Sequence, residues 1–235
     1  MVLLEDTDLG PEGQTARIDD LRFRHMLEIQ GVTLGDEIPV GVLNGLMGVG
    51  RIVQMTETEL TLELALQDPP PAPSLLEVIV ALPRPLILKR LLHSLTTIGV
   101  KRIHLIGARK VERSFWNSRA LAPEAVRDQL VLGLEQAKDT QLPEVALYPY
   151  FKPFTEEHLG DIQEGARSLL AHPGATTPCP RAVRDPVLLA VGPEGGFNDF
   201  EVERFLECGF ETVSLGERIF RVDIAVTYAV AQLSP

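Results

Sequence analysis

Apolar residues in this chain follow two rhythms, and a proline-rich stretch separates them. Ahead of that stretch, residues 37–66 alternate apolar and polar positions around an Asn44-Gly45 pair, the period and turn signal of hairpins with one covered face. The pattern predicts a small β-barrel, entered through a short helix over 20–30. Beyond the stretch, short unbroken apolar runs alternate with segments of helical period. Strands are expected at 77–81, 102–106, 145–148, 168–171, 187–191 and 212–215, and helices at 85–98, 123–138 and from Asn198 to Gly209. Pro85 and Pro123 suit first helical positions, where a missing N–H costs nothing, and Gly99 suits a helix end. Unbroken apolar strands mark a sheet covered on both faces, so this region reads as α/β with a parallel sheet.

The separating stretch, Asp68-Pro-Pro-Pro-Ala-Pro73, can neither donate a regular ladder nor continue a helix. It divides the chain into expected domains at 1–70 and 74–235. With 235 residues and 45% hydrophobic content, a real core is within reach. The start is acidic, and no apolar run approaches the roughly 18 residues that span a bilayer, so a soluble, cytoplasmic protein without a membrane partner is expected. Cys179 and Cys208 stand far apart without metal-type spacing, which argues against a zinc site and a disulfide framework. His93, His104 and His158 fall within strand or helix patterns and read as structural.

Chemistry concentrates in the last third. The strand at 187–191 runs into Gly192-Pro193-Glu194-Gly195-Gly196-Phe197, where proline fixes one backbone angle and the glycines open conformations closed to other residues. Asn198 and Glu201 then form a capping-box pair, and Gly209 sits just past the helix. On glycine content alone this is either a tight strand-to-helix turn or a ligand loop. It lacks the Lys-Ser/Thr of a P-loop and the spacing of GxGxxG, so neither nucleotide fingerprint applies. Two further strand ends, at His172-Pro173-Gly174 and at Gly216 to Arg221, carry similar breaks. Ligands in open α/β sheets sit beyond the carboxyl ends of strands, so the three loops can share one crevice.

GPEGGF at 192–197, LGERIFR at 215–221 and LLAHPG at 169–174 together resemble the signature segments of the RsmE-type ribosomal RNA methyltransferases of the SPOUT superfamily. FRHMLEI at 23–29, GDEI at 35–38, IGVKRIHLI at 98–106 and LEQ with LPEV at 134–145 extend the resemblance over most of the chain. That family methylates N3 of a uridine in 16S ribosomal RNA with S-adenosylmethionine. The resemblance therefore implies a PUA-like RNA-binding barrel, a SPOUT sheet closed by a deep trefoil knot, a homodimer, and ribosomal RNA or the small ribosomal subunit as partner. It also implies a metal-free cofactor site. Main-chain groups of His172, Pro173, Gly174, Val191, Gly192, Pro193, Gly195, Gly196 and Gly216 are the expected grip, with Leu215, Ile219 and Phe220 as apolar walls.

Uridine N3 bears a proton and is a poor nucleophile until the proton leaves. Arg221 fits the stabilisation of the resulting anion. Asp223 can take the proton or merely complement the positive end of the last helix. Glu194 can orient a ligand or bind neighbouring loop amides. Where the family usually continues Arg-Thr-Glu-Thr-Ala, this chain reads Arg221-Val222-Asp223-Ile224-Ala225, without either hydroxyl and with a shorter carboxylate. Thr97 and Thr140 are further departures, at positions where the family commonly has an acid and an arginine. A sister SPOUT enzyme acting at another RNA position, or an inactive RNA-binding relative, therefore stays open.

The net charge of −11 opposes an RNA substrate, because phosphate contacts draw on Lys and Arg. Its distribution answers the objection. From Arg84 to Arg119 basic residues face the single acid Glu112, while the acidity gathers in the first domain. Arg109, Arg113 and Arg119 are the candidate RNA contacts, the alternative being a solvated surface. Trp116, interleaved with them, suits either base stacking or burial. In the first domain Arg22, Arg24 and His25 are RNA candidates or a polar helix face.

Overall fold

In a computed structural model describing residues 1–235, the strands sort into two separate sheets, one in each of two compact units. The first unit comprises Met1–Ala72 together with Leu134–Leu142. Its strands are β1 (Val2–Leu4), β2 (Thr15–Ile18), β3 (Glu37–Val42), β4 (Met47–Met55) and β5 (Leu60–Asp68), in the order β1-β3-β4-β5-β2. The β3-β4-β5 meander and the β5–β2 pair are antiparallel, and β1 lies parallel to β3. No pair joins β1 to β2, so hydrogen bonding leaves the sheet open along that seam. Alternation delivers Val40, Ile52, Leu60 and Leu62 to one buried face with Leu4 and Ile18. Gly48 lies at a bulge where any Cβ would overlap the Ala65 carbonyl oxygen.

The helix expected over 20–30 forms in two parts. α1 (Leu21–His25) passes into one wide turn, Met26–Gln30, which Gly31 ends at φ 64°. Asp20 caps α1 by accepting from the Arg22 N–H at 2.8 Å. Arg22 then bends back, donating to Asp8 at 2.8 Å and to the Leu3 carbonyl at 2.8 Å. Sequence period did not foresee the three-residue β1, nor β2, whose alternation spans only four residues, nor the inclusion of 134–142. That segment is held to the hairpin turn: Asn44 N–H donates to the Thr140 carbonyl at 2.7 Å, and Leu142 N–H donates to Asn44 Oδ1 at 2.9 Å. A boundary at the proline stretch is thus incomplete, because a distant piece of chain returns to satisfy polar groups of the turn.

The second unit, Pro73–Gly133 and Pro143–Pro235, carries the larger sheet. In chain order it has β6 (Leu76–Ala81), α2 (Pro85–Thr97), β7 (Arg102–Ile106), most of α3 (Pro123–Ala137, whose residues 134–137 fall in the first unit), β8 (Glu144–Tyr148), α4 (Phe151–Pro153), α5 (Leu159–Ile162), β9 (Arg167–Ala171), β10 (Val187–Val191), α6 (Asp199–Glu207), β11 (Glu211–Val213) and α7 (Val222–Leu233). Strand order is β11-β9-β10-β6-β7-β8, and every pair is parallel. The α/β reading with a parallel sheet is therefore correct. β6 and β10 are central and buried along their whole length, as their unbroken apolar runs require. Helix ends shift slightly: Lys138, at φ 55°, takes the left-handed conformation that stops α3, and Leu215 lies beyond β11. The helical stretch 151–162 was not expected, since Pro153 and Gly160 break the period; Phe154 and Leu159 are its buried anchors.

Polar groups also enter the second core. Glu77 on β6 is buried and meets His104 Nε2 at 2.5 Å and Arg102 at 2.6 Å, both on β7, so its charge is compensated within the sheet.

Two outcomes follow from this packing. Gly133 lies on α3 where a Cβ would stand 2.6 Å from Thr96 Cβ and 2.9 Å from the His93 carbonyl oxygen on α2. Alanine would add about 1 kcal/mol of helix propensity, but overpacking costs about 1–3 kcal/mol. Gly133→Ala should therefore lower the melting temperature; a rise would show that the helices separate freely. In the first unit, burial alone would raise the Asp20 carboxyl, but hydrogen bonds and charge from Arg22 outweigh it and hold the group below the usual aspartate range. Such a group stabilises the fold above its unfolded pKa, and that contribution is lost as pH falls through the lowered folded value. Asp20→Asn keeps a capping oxygen and discards the charge. Its urea midpoint should lie below wild type at pH 7, and the two should converge in acid; a gap that persists there contradicts the ion-pair account.

Candidate functional site

Because β9, β10 and β11 are adjacent and parallel, their carboxyl ends open on one edge of the sheet. The loops that leave them enclose a cleft of about 670 Å³, its open mouth included. His172 and Pro173 line it from the first loop, Val191, Gly192, Pro193, Glu194 and Gly196 from the second, and Leu215, Gly216, Ile219 and Phe220 from the third. Most of the expected cofactor residues are thus brought together. Two are not in the wall. Gly174 closes its own turn by donating to His172 Nδ1 at 3.1 Å, and Gly195 faces away, its carbonyl accepting from Lys110 Nζ at 2.7 Å. Sequence reasoning missed Ala171, Phe197, Arg218, Val222 and Ala225. The signal for Val222 and Ala225 was the apolar spacing at the start of the last helix, three residues apart on one face.

Local chemistry accounts for the loop shapes. Gly196 adopts φ 70° and Gly216 φ 118°, the left-handed region in which glycine carries no penalty. At Gly192 a Cβ would come within 3.0 Å of the Phe197 main-chain nitrogen, so the loop folds back only over glycine. Asn198 Oδ1 accepts from the Glu201 N–H at 2.8 Å while Glu201 Oε2 accepts from the Asn198 N–H at 2.9 Å, completing the capping box that starts α6. Glu201 is buried, and its other oxygen accepts from the Arg109 N–H at 2.6 Å. One carboxylate therefore ties the second loop to the chain leaving β7. The loop between β9 and β10 is fastened to the end of α7 by Ala182 N–H to Gln232 at 2.9 Å and Val183 N–H to Leu233 at 2.8 Å. Burial raises the Cys179 thiol in that loop, with Arg167 opposing in part, so it stays a protonated apolar filler.

The lining is mostly apolar, with Leu215, Ile219, Phe220, Val222 and Ala225, and its polar members are His172, Glu194 and Arg218. N–H groups of residues 217–220 enter no main-chain hydrogen bond, so the third loop keeps unpaired amides beside this lining. Flat heterocycles and an aliphatic chain suit such a cleft, with a few polar groups to read their edges and apolar walls to cover their faces. Glu194 is exposed and accepts from the Arg84 N–H at 3.4 Å, at the start of α2.

Arg221 and Asp223 lie in a neighbouring groove between α2 and α7, with Lys89, Arg90, His93 and Tyr228. Asp223 Oδ2 is 3.1 Å from Arg221, and Oδ1 is buried without a hydrogen-bond partner. An orphaned buried carboxylate oxygen is costly and calls for a ligand, water or proton. Arg221 itself is largely exposed. Arg109, Arg113 and Arg119 are exposed on the segment after β7, and Trp116 is partly covered in the turn Arg113–Asn117. Arg24 is exposed, whereas the Arg22 guanidinium is already taken up by Asp8 and Asp20, which secure α1.

Comparison with known proteins places this geometry. Residues 70–234 match the family model described as RNA methyltransferase domain. Ribosomal RNA small subunit methyltransferase E of Treponema pallidum is 30% identical over 98% of this chain and 89% of its own length. Its counterpart from Borreliella burgdorferi, methyltransferase E 1, is 26% identical over 66% of this chain and 64% of its own length. Among solved structures, ribosomal RNA small subunit methyltransferase E from Neisseria gonorrhoeae bound to S-adenosyl methionine superposes with a TM-score of 0.76 at 18% identity, covering 98% of this chain and 95% of that one. A probable rRNA-methyltransferase from Porphyromonas gingivalis gives 0.75 at 21% identity, covering 99% and 98%. These structures share the fold across both units, while the family model and the spirochaete relative carry the descent: the chain belongs to the RsmE family of RNA methyltransferases.

Proposed function

We propose that the protein transfers a methyl group from S-adenosylmethionine to N3 of a uridine in 16S ribosomal RNA. The observation that carries this is the convergence of three glycine-bearing loops on one cleft with largely apolar walls, in a chain of this family. His172, Gly192, Gly196 and Gly216 bring main chain to the cofactor, and Leu215, Ile219 and Phe220 cover its apolar parts. S-adenosylmethionine supplies a methyl group already activated as a sulfonium. The remaining work is alignment, exclusion of water and removal of one proton. Arg221 stands ready to balance negative charge on the uracil oxygens. In this reading Asp223, whose orphaned oxygen lies in the groove beside the cleft, accepts the N3 proton directly or through water. Glu194 holds the second loop against the start of α2.

Three finer features belong to the same reading. The first unit acts as a PUA-like RNA-binding module, with Arg24 available and Arg22 structural. The C-terminal chain closes as a trefoil knot, supported by the bonds that fasten the β9–β10 loop over the end of α7. The protein works as a homodimer, supported by the exposed apolar side chains Leu86, Ile219, Ile224 and Tyr228 around α2 and α7. Val222 and Ile224, in place of hydroxyl-bearing residues, favour a second reading in which a sister enzyme of this family modifies another RNA position.

Mass spectrometry of ribosomal RNA from cells lacking the gene should show loss of one methylated uridine, restored by the intact gene; unchanged RNA would end the uridine assignment. In vitro, Gly216→Ala strains a φ of 118° and should weaken S-adenosylmethionine binding by about 1–3 kcal/mol. Arg221→Ala should leave that affinity intact and lower kcat by about 10²–10³. If Arg221→Ala instead abolishes cofactor binding, its role is in the cleft and not at the uracil. Sedimentation at assay concentration should give a dimer mass, and a monomer would contradict the paired assembly.

A further inference from the structure

A second aromatic and basic surface lies on the same sheet edge, beyond β7 and β8. Gly107 N–H donates to the Tyr148 carbonyl at 2.7 Å, and any Cβ at Gly107 would overlap the Pro149 carbonyl oxygen. The two strand ends are therefore clamped together. Tyr150 follows immediately, held at the start of the 151–162 helical stretch by Phe154 N–H donating to its carbonyl at 3.2 Å. The residue is 73% exposed. Arg109 and Lys152 flank it in a shallow groove that also includes Phe151. Arg109 spends its main-chain N–H on Glu201, and its guanidinium enters no ion pair. Lys152 has only a loose, exposed neighbour in Glu156 at 3.8 Å, which contributes little.

We propose that Tyr150, with Arg109 and Lys152 beside it, is a stacking subsite for an unpaired nucleotide of the RNA substrate. A large exposed aromatic on a rigid corner loses little entropy on binding. The flat ring takes any base, and the flanking cations take the phosphates on either side. Charge favours RNA over a protein partner. From Arg109 to Arg119 only Glu112 opposes the basic residues, although the chain as a whole carries −11. Position favours a nucleotide next to the target. Lys110 and the Arg109 main chain are bonded to Gly195 and Glu201 of the cofactor loop and its helix, so the groove and the cleft move as one body. A base stacked on Tyr150 would anchor the strand while the target nucleotide reaches the methyl donor. This rests on the RNA methyltransferase reading above and adds to it the recognition of single-stranded RNA.

The test uses the full-length protein and a fluorescein-labelled oligonucleotide, as a single strand and annealed in a duplex, with S-adenosylmethionine titrated separately. Tyr150→Ala should weaken single-strand binding by about tenfold, within the range of one stacked base. Tyr150→Phe, which keeps the ring, should recover most of the loss, and Lys152→Ala should reduce the slope of log affinity against log salt by about one contact. Duplex binding should change far less than single-strand binding in Tyr150→Ala. The proposal is overturned if Tyr150→Ala binds the single strand as wild type does, or if Tyr150→Phe is as weak as Tyr150→Ala. Wild-type protein that binds the single strand through Tyr150 yet neither binds S-adenosylmethionine nor transfers methyl would leave the subsite standing and end the enzymatic reading.

Discussion

Parallel strands cannot be joined by tight turns, so β9, β10 and β11 must each send the chain out at the carboxyl edge before it crosses back. Their register, Val191 beside Ala171 and Ala171 beside Val213, brings the three exits level with one another. Everything in the cleft depends on that level edge. A one-residue slip would turn every side chain of a strand to the opposite face of the sheet, and with β10 buried throughout and Leu169 and Val213 fully buried it would force both layers to repack. The hydrophobic cost of breaking the sheet is thus also what keeps the loops in place.

Glu201 shows how the positioning is extended from strands to loops. A buried carboxylate is expensive unless its lone pairs are used, and here each oxygen takes a main-chain N–H, one at Asn198 and one at Arg109. The same group starts α6, shapes the glycine loop and holds the exit from β7. Glu77, by contrast, satisfies its charge inside the sheet through His104 and Arg102, away from the loops. Both solve the same problem of a charge in a core, but only Glu201 couples two loops on the functional edge.

Arg221 and Asp223 illustrate a division of labour between neighbouring grooves. The cleft reaches α7 through the apolar Val222 and Ala225, while Arg221 and Asp223 open on the other side of the same helix turn. A single turn thus presents apolar wall to one groove and a charged pair to the next. The loss of hydroxyls at Val222 and Ile224 falls at this turn, and the orphaned oxygen of Asp223 sits within it.

Period and punctuation alone carried much of this. The unbroken apolar runs announced β6 and β10, the Asn198–Glu201 pair announced α6, and the glycines at 192, 196 and 216 marked loops that do take left-handed or close-approach conformations. These are local effects, set by steric limits and capping within a few residues, so the chain declares them. Arg22 was legible as a charge but not as an ion-pair partner of Asp8, and Tyr150 was not legible at all, because exposure is a property of what packs nearby. Likewise, that 134–142 joins the first unit, and that Gly174 and Gly195 turn away from the cleft, depended on hydrogen bonds between residues far apart or on opposite sides of a turn. Backbone sterics are written residue by residue, whereas burial and partner choice are settled only when distant segments compete for the same volume and the same hydrogen bonds.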